Sequence, residues 1–348
     1  MKIIKIVLMA VLIITMSTPQ VAHAMPIEAS EKVNSNTSVT RSRTKRGWVD
    51  EKGRFRYYLN NGTYPKRQWR LINKRWFYFN KNGHAVTGWR KIGGKTYYLR
   101  KTGSLGVRGR MLVGWHKLDG KNYYFAKSGE HIPGRKKGAK VVAIDPGHQR
   151  RADYSTEVIG PGSSKKKPRV STGTYGRWSR LNEYQLNLTV SKKLERELKK
   201  RGYNVYMIRT THDVNISNSQ RAKNAANAGA DIFVRVHANG DRNSAVAGAL
   251  TMAPGNNNPF LTKQNIARSR KLSSDIIGEF CKATGARNRG VHSHNDMTGI
   301  NWSTIPVTIV EMGYMSNQAD DLNMANARYQ NRMVTGMANG IDRYFKKR

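Results

Sequence analysis

Two histidines and a glutamate stand where apolar runs end. His148 closes "VVAIDPGH", His237 closes "DIFVRVH" and Glu311 lies at the end of "VTIVE". A buried run can stop at a turn with no such residue, so three proton-transfer or metal-binding side chains at three run ends ask for a chemical reason. Glu183, in "RLNEYQLNL", is a fourth candidate. Leu186, Val190, Leu194 and Leu198 recur at helical spacing and mark a buried stripe, and Glu183 falls on that face in the first turn. A carboxylate aimed at a core is costly unless it is paired or bound to a cation. The other reading is a helix-start acid favoured by the helix dipole. Two histidines and a carboxylate, with one position left for water, make the ligand set of a catalytic zinc site, and a second, unbound carboxylate then serves as general base. Glu311 suits that role. The spacings form no local motif, so the residues alone leave both readings of Glu183 open.

Such a set needs elements that bring distant residues together. From residue 140 onward, strand-like and helix-like stretches alternate. "VVAID", "YNVYMIR", "DIFVRVH", "GALTMA" and "VTIVEMG" read as strands, while "EYQLNLTVSKKLERELKKRG", "SNSQRAKNAANAGA", residues 265–284 and "NARYQNRMVTGMANGIDRYF" read as helices. The alternation predicts an α/β domain over 140–348, a mostly parallel twisted sheet flanked by helices. Ligands of such sheets bind beyond the carboxyl ends of the strands, where His148, His237 and Glu311 fall.

Residues 46–132 have a different texture. Four pieces, from "GWVDEKGRFRYYLNNG" to "GWHKLDGKNYYFAKSG", each carry a leading tryptophan (Trp48, Trp69, Trp89, Trp115), a pair of aromatics and a closing glycine. A period near twenty residues fits one hairpin per unit, which predicts a small all-β hairpin-repeat domain stacked as a solenoid. The tyrosine pairs read as core filling at least as readily as ligand contacts; the lead tryptophans read as ligand-binding rings. Residues 133–139, "PGRKKGA", read as a linker, and 25–45, polar and without apolar period, as a disordered one. Residues 1–24 have basic Lys2 and Lys5, an apolar run and a small-x-small ending at Ala24, the layout of a secretory signal peptide. Its removal would leave no transmembrane anchor. The single cysteine, Cys281, excludes an internal disulfide and reads as a small buried apolar residue.

Lys and Arg number 62 against 22 Asp and Glu, a formal net charge of +40. Such a chain attracts polyanions. For an exported protein these are wall teichoic acids, anionic lipids or stray nucleic acid; no nucleic-acid-binding module is recognisable, and export argues against a specific nucleic-acid partner.

The motifs "IDPGHQ", "NEYQLNL", "RVHANG" and "VEMGYMSN", in that order, resemble the zinc-dependent N-acetylmuramoyl-L-alanine amidases of the amidase-3 class, over about 140–345. The resemblance implies that His148, Glu183 and His237 bind one Zn2+ and that Glu311 is catalytic. The implied reaction is hydrolysis of the amide joining N-acetylmuramic acid to L-alanine in peptidoglycan. The repeats, with "GHAVTGW" and "GRMLVGW" between hairpins, resemble the choline-binding type of cell-wall-binding repeat. That likeness implies aromatic cages for choline on teichoic acid, or platforms for sugars, with cation–π attraction behind the former. Together they imply a secreted, cell-wall-associated enzyme of a Gram-positive bacterium. Two departures stand out. Arg235 occupies a place where the family usually has a small residue, and the basic segment 150–181 is longer than the family's usual loop. Both lead us to expect altered substrate contacts around an intact zinc site. His292 and His294 in "VHSHND" read as part of a loop near the cleft. The competing functions are a zinc peptidase cutting stem peptides and a polyanion- or wall-binding protein without cleavage. N-terminal sequencing of the exported protein is expected to begin at Met25; an N-terminus at Met1 would remove the export signal.

Overall fold

In the computed structural model, the described residues are 45–346; the expected signal peptide 1–24 and residues 25–44 of the expected linker lie outside them. The chain begins with four antiparallel hairpins: β1 (Gly47–Glu51) with β2 (Arg54–Tyr58), β3 (Gln68–Ile72) with β4 (Arg75–Phe79), β5 (Gly88–Ile92) with β6 (Lys95–Leu99), and β7 (Gly114–Leu118) with β8 (Lys121–Phe125). Both central residues of each turn are left-handed, as in Asn73-Lys74 (φ 48° and 60°) and Asp119-Gly120 (φ 47° and 79°). This mirror-type turn matches the twist of the strands it joins. Each lead tryptophan sits directly across from a tyrosine, edge to face: Trp48 on Tyr57, Trp69 on Tyr78, Trp89 on Tyr98 and Trp115 on Tyr124, at 5.2–5.3 Å. Trp48 also meets Phe77, and Trp69 meets Tyr97, each in the next hairpin. The rings are half-buried, so they help to fill the shared core as well as line the surface.

The chain divides into two compact units between Arg110 and Met111. The fourth hairpin therefore packs with the second unit. Lys127 donates its backbone N–H to the Asn227 carbonyl at 3.0 Å, and Arg135 donates to the carbonyls of Ala228 and Gly229. The same guanidinium lies 3.7 Å over the Tyr124 ring. Lys136 N–H donates to Asn204 Oδ1 at 2.7 Å. The stretch 133–139, read as a linker, is thus hydrogen-bonded onto the second unit.

The second unit is built from β9 (Val141–Pro146), β10 (Asp153–Val158), β11 (Lys166–Val170), α1 (Glu183–Lys200), β12 (Asn204–Met207), α2 (Asn218–Asn227), β13 (Ile232–Asn239), β14 (Ala249–Pro254), α3 (Lys263–Thr284), β15 (Asn288–His294), α4 (Thr298–Asn301), β16 (Val307–Tyr314), α5 (Gln318–Ala325) and α6 (Ala327–Phe345). Its sheet runs β12-β9-β13-β16-β14-β15, with β12, β9, β13 and β16 parallel and β14 antiparallel to β16. This is the mostly parallel α/β architecture expected. One core joins Leu186, Val190, Leu194 and Leu198 of α1 to α3 and α6 through Val142, Val234 and Val310; a second joins Ala222 and Ala225 of α2 to Ile300 of α4 through Ala143, Phe233 and Ile309. Alternate residues of these strands therefore feed two faces, which is why the strands read as continuous apolar runs.

Two stretches differ from expectation. The basic segment after His148 contains a polar hairpin, β10–β11, held to the domain by Glu157, which accepts from Ser219 N–H at 3.0 Å, and by Trp302 Nε1, which donates to the Val158 carbonyl at 3.0 Å. "VHSHND" is no cleft loop: His292 and His294 lie on β15, the edge strand paired to β14. Cys281 is half-buried on α3 against the core, and burial pushes its thiol up to about 11.

Arg135→Ala removes the guanidinium that ends α2. Hydrogen bonds to charged groups are worth about 1.5–3 kcal/mol, and about 2–4 °C of Tm goes with each kcal/mol in a domain of this size, so a fall of roughly 3–12 °C is expected by calorimetry. An unchanged Tm would mean that the Arg135 hydrogen bonds add nothing to the stability of the second unit.

Candidate metal centre

β9, β13 and β16 lie side by side and end together, so the sheet itself gathers the residues found at the run ends. His237 and Glu311 are register partners on β13 and β16. Gly147, just past β9, donates its N–H to the Val236 carbonyl at 2.9 Å, which holds the following His148 beside them. The segment after β9 leads through β10 and β11 to α1, whose first residue is Glu183.

Glu183 is the hub. Its Oε2 lies 3.1 Å from His148 Nε2 and its Oε1 3.1 Å from His237 Nδ1. The same carboxylate accepts the N–H of Thr174 (2.9 Å), the N–H of Ala238 (3.1 Å) and the Asn187 amide (3.1 Å). The two imidazoles stand edge to face with centroids 4.8 Å apart. Ligand atoms of His148, Glu183 and His237 all fall within 4.8 Å of one another. Both readings of Glu183 hold at once: it is a helix-start acid, and it is buried.

The electrostatics suit a cation. Burial pushes the His237 imidazole down to about 4 against the upward pull of Glu183, so at neutral pH it is the uncharged form that a metal requires. Burial opposes the Glu183 charge, yet the two imidazoles hold its carboxyl well below the usual range. His148 Nδ1 lies 2.9 Å from the Ser171 carbonyl; with its proton donated there, Nε2 would be free to ligate a metal. His237 Nε2 is buried without a hydrogen-bond partner. Its Nδ1 faces the Glu183 carboxylate, and two imidazoles converging on one buried carboxylate fit a zinc ligand set.

Glu311 is 7 % exposed, with Oε2 buried and unpartnered. Burial, reinforced by the nearby Glu183 charge, raises its carboxyl well above the ordinary range, against a downward pull from Arg235. A carboxyl poised in this way can take and return a proton. The four sequence candidates thus meet in one place. Trp48, Trp69, Trp89 and Trp115 are on the hairpins and form no part of this cluster.

Several supporting residues escaped the sequence reading. Asp145 is fully buried between two guanidinia: Arg221 Nη1 at 2.6 Å and Arg235 Nε at 2.8 Å. Burial alone would raise its carboxyl, but the two arginines hold it well below the carboxylate range. Arg235 also donates to Asn218 Oδ1 at 2.7 Å and is 4 % exposed. Its guanidinium is committed to Asp145 and Asn218, and its charge answers Asp145. The only hint in the sequence was an acid directly before "PGH". Gly147 and Gly173 are needed for space: a Cβ on Gly147 would overlap the His237 ring, and one on Gly173 would press on Glu183 Oε2 and the His148 ring.

The family model for N-acetylmuramoyl-L-alanine amidase matches residues 142–343. A choline-binding repeat matches 66–110 and a putative cell wall binding repeat 113–130. YqiI of Bacillus subtilis is 32% identical over 165 residues, covering 47% of this chain and 75% of that protein. N-acetylmuramoyl-L-alanine amidase LytC of the same organism is 26% identical over 207 residues, 60% of this chain and only 36% of LytC. The crystal structure of the N-acetylmuramyl-L-alanine amidase Ami1 of Mycobacterium smegmatis has the same fold, with a TM-score of 0.54 at 18% identity over 60% of this chain and 98% of that one.

Gly147→Ala should displace the His237 ring. Overpacking of this kind costs about 1–3 kcal/mol, and the variant should lose zinc binding measured by titration calorimetry. Gly278→Ala, where a Cβ meets nothing, is the control. Wild-type zinc affinity in Gly147→Ala would show that His237 is not held by that contact.

Proposed function

Since the chain belongs to the N-acetylmuramoyl-L-alanine amidase family, we propose that it hydrolyses the amide between N-acetylmuramic acid and L-alanine of peptidoglycan at the cluster of His148, Glu183, His237 and Glu311. The observation that carries this reading is the meeting of two imidazoles on one buried carboxylate, with a second, raised carboxyl on the adjoining strand. His148, Glu183 and His237 would hold a single Zn2+. When bound, zinc supplies Lewis acidity, polarising the scissile carbonyl and acidifying water.

The chain's own groups do the rest. Glu311 accepts a proton from the attacking water and delivers it to the departing alanine nitrogen, so the carboxyl ends the cycle as it began. Glu183, fixed by two backbone N–H groups and Asn187, cannot swing away from the imidazoles and stays a ligand while Glu311 moves the proton. Burial of both carboxylates strengthens each interaction at the site.

The repeats hold the enzyme on the wall and raise the local concentration of its substrate. Trp48, Trp69, Trp89 and Trp115 are the rings we assign to wall ligands, choline on teichoic acid or glycan; the basic surface adds attraction to the polymer's phosphates. No helix among the described residues is long and apolar enough to cross a membrane. The export signal read in residues 1–24 and the match to cell-wall-binding repeats support the reading of a secreted, wall-associated hydrolase of a Gram-positive cell.

Purified peptidoglycan should yield new N-terminal L-alanine and no new reducing sugar. The release should stop with chelator, return with zinc, and fall by about 10²–10⁴ in Glu311→Gln. New amino groups on another residue would make it a zinc peptidase, and wall binding without release from several wall types would make it a binding protein only.

A further inference from the structure

Arg209 lies just beyond β12 and is 2 % exposed, and among the described residues its side chain hydrogen-bonds to main-chain carbonyls. Nε donates to Pro146 O at 2.8 Å. Nη2 donates to Gly147 O at 2.9 Å and to Tyr184 O at 2.8 Å, and Nη1 to Thr211 O at 3.1 Å. Burial, together with the neighbouring Arg221, brings its pKa down to about 10, so it stays charged at neutral pH. A cation buried without a hydrogen-bonded carboxylate is an expensive way to fill a core, since such groups are ordinarily paired.

The acceptors explain the placement. Pro146 and Gly147 lead into His148, whose own backbone is left-handed at φ 60°. Tyr184 follows Glu183. One guanidinium thus joins the segment carrying the first histidine to the helix start carrying the carboxylate, two pieces of chain far apart in sequence. Asn187 runs a parallel tie, its amide donating to Gly147 O and Glu183 Oε1 at 3.3 and 3.1 Å. Gly147 is also bonded to Val236 on the strand of His237, whose ring rests against it. A rigid planar fork can serve two chain segments in fixed directions, whereas a lysine offers a single flexible point.

We propose that Arg209 is the positioning residue of the metal site, fixing His148 against Glu183 through their main chains without touching either ligand side chain. The inference rests on the zinc reading above. Partners that orient metal ligands typically carry about a tenfold to hundredfold effect on metal affinity when lost.

The test uses the full chain, zinc alone as probe, and competition with a chromophoric chelator. Arg209→Lys and Arg209→Met are compared with wild type at a temperature where circular dichroism shows each to be folded. Arg209→Lys keeps the charge but gathers its donors on one nitrogen, so it carries the test if Arg209→Met does not fold. Ile341→Ala is the matched control for core damage: it sits on α6 beside Asp342, which pairs with Arg201 past the opposite end of α1 from Glu183. The expected result is zinc affinity about tenfold or more weaker in both Arg209 variants, with Ile341→Ala binding as wild type despite a lower Tm. Arg209 variants that bind zinc within twofold of wild type would overturn the proposal and leave Arg209 a packing residue. An Ile341→Ala affinity that falls equally would overturn it too, since loss of stability would then suffice. Failure of the wild type to bind zinc, or undiminished binding in His148→Ala, would count against the zinc reading itself.

Discussion

At the head of α1 the Glu183 carboxylate faces two imidazoles while two backbone N–H groups and an amide hold it in place. A buried anion of this kind is stable only while each of its lone pairs is answered. That requirement fixes the loop at Thr174, the strand end at Ala238 and the pitch of the helix at Asn187. Remove the charge and three separate chain segments lose their common acceptor. The site is therefore part of what holds the edge of the sheet together, and its geometry follows from satisfying one carboxylate.

Beneath this anion lies a second buried layer, with more positive groups than negative. Asp145 answers Arg221 and Arg235, while Arg209 is met by carbonyls alone. Arg221 also donates to the carbonyls of Pro146 and His148. The carbonyls of the turn after β9 are consequently held by two buried guanidinia. The short "DPGH" turn gains a rigidity that its own few residues would not provide.

Much of this was legible in the sequence. Period and apolar runs located the main strands of the sheet and its long helices, because strands buried on two faces and helices buried on one leave plain patterns. The run-end positions of His148, His237 and Glu311 pointed to one edge, and the stripe of α1 pointed Glu183 at it. Other features left no such trace. β10 and β11 are polar on both sides, so no alternation marks them. β15, an edge strand with Gly290 and mostly polar residues, reads as loop. Arg209 sits in "MIRTTHD", where a basic residue at a strand end reads as surface; its burial depends on Pro146 and Tyr184, distant neighbours that only the fold supplies. The docking of the fourth hairpin was hidden for the same reason, since its repeat pattern matches those before it.

The left-handed backbone of His148 also limits what could ever replace it. Among residues that carry a side chain past the β-carbon, asparagine, aspartate and histidine are the ones enriched in that region, while bulky or branched residues are strained there. Of these three, only histidine and aspartate are common metal ligands. The turn thus biases the chemistry open to its lineage: an oxygen donor from aspartate in place of the nitrogen suits the backbone, whereas a thiolate or a longer carboxylate would carry a backbone cost of about 1–2 kcal/mol.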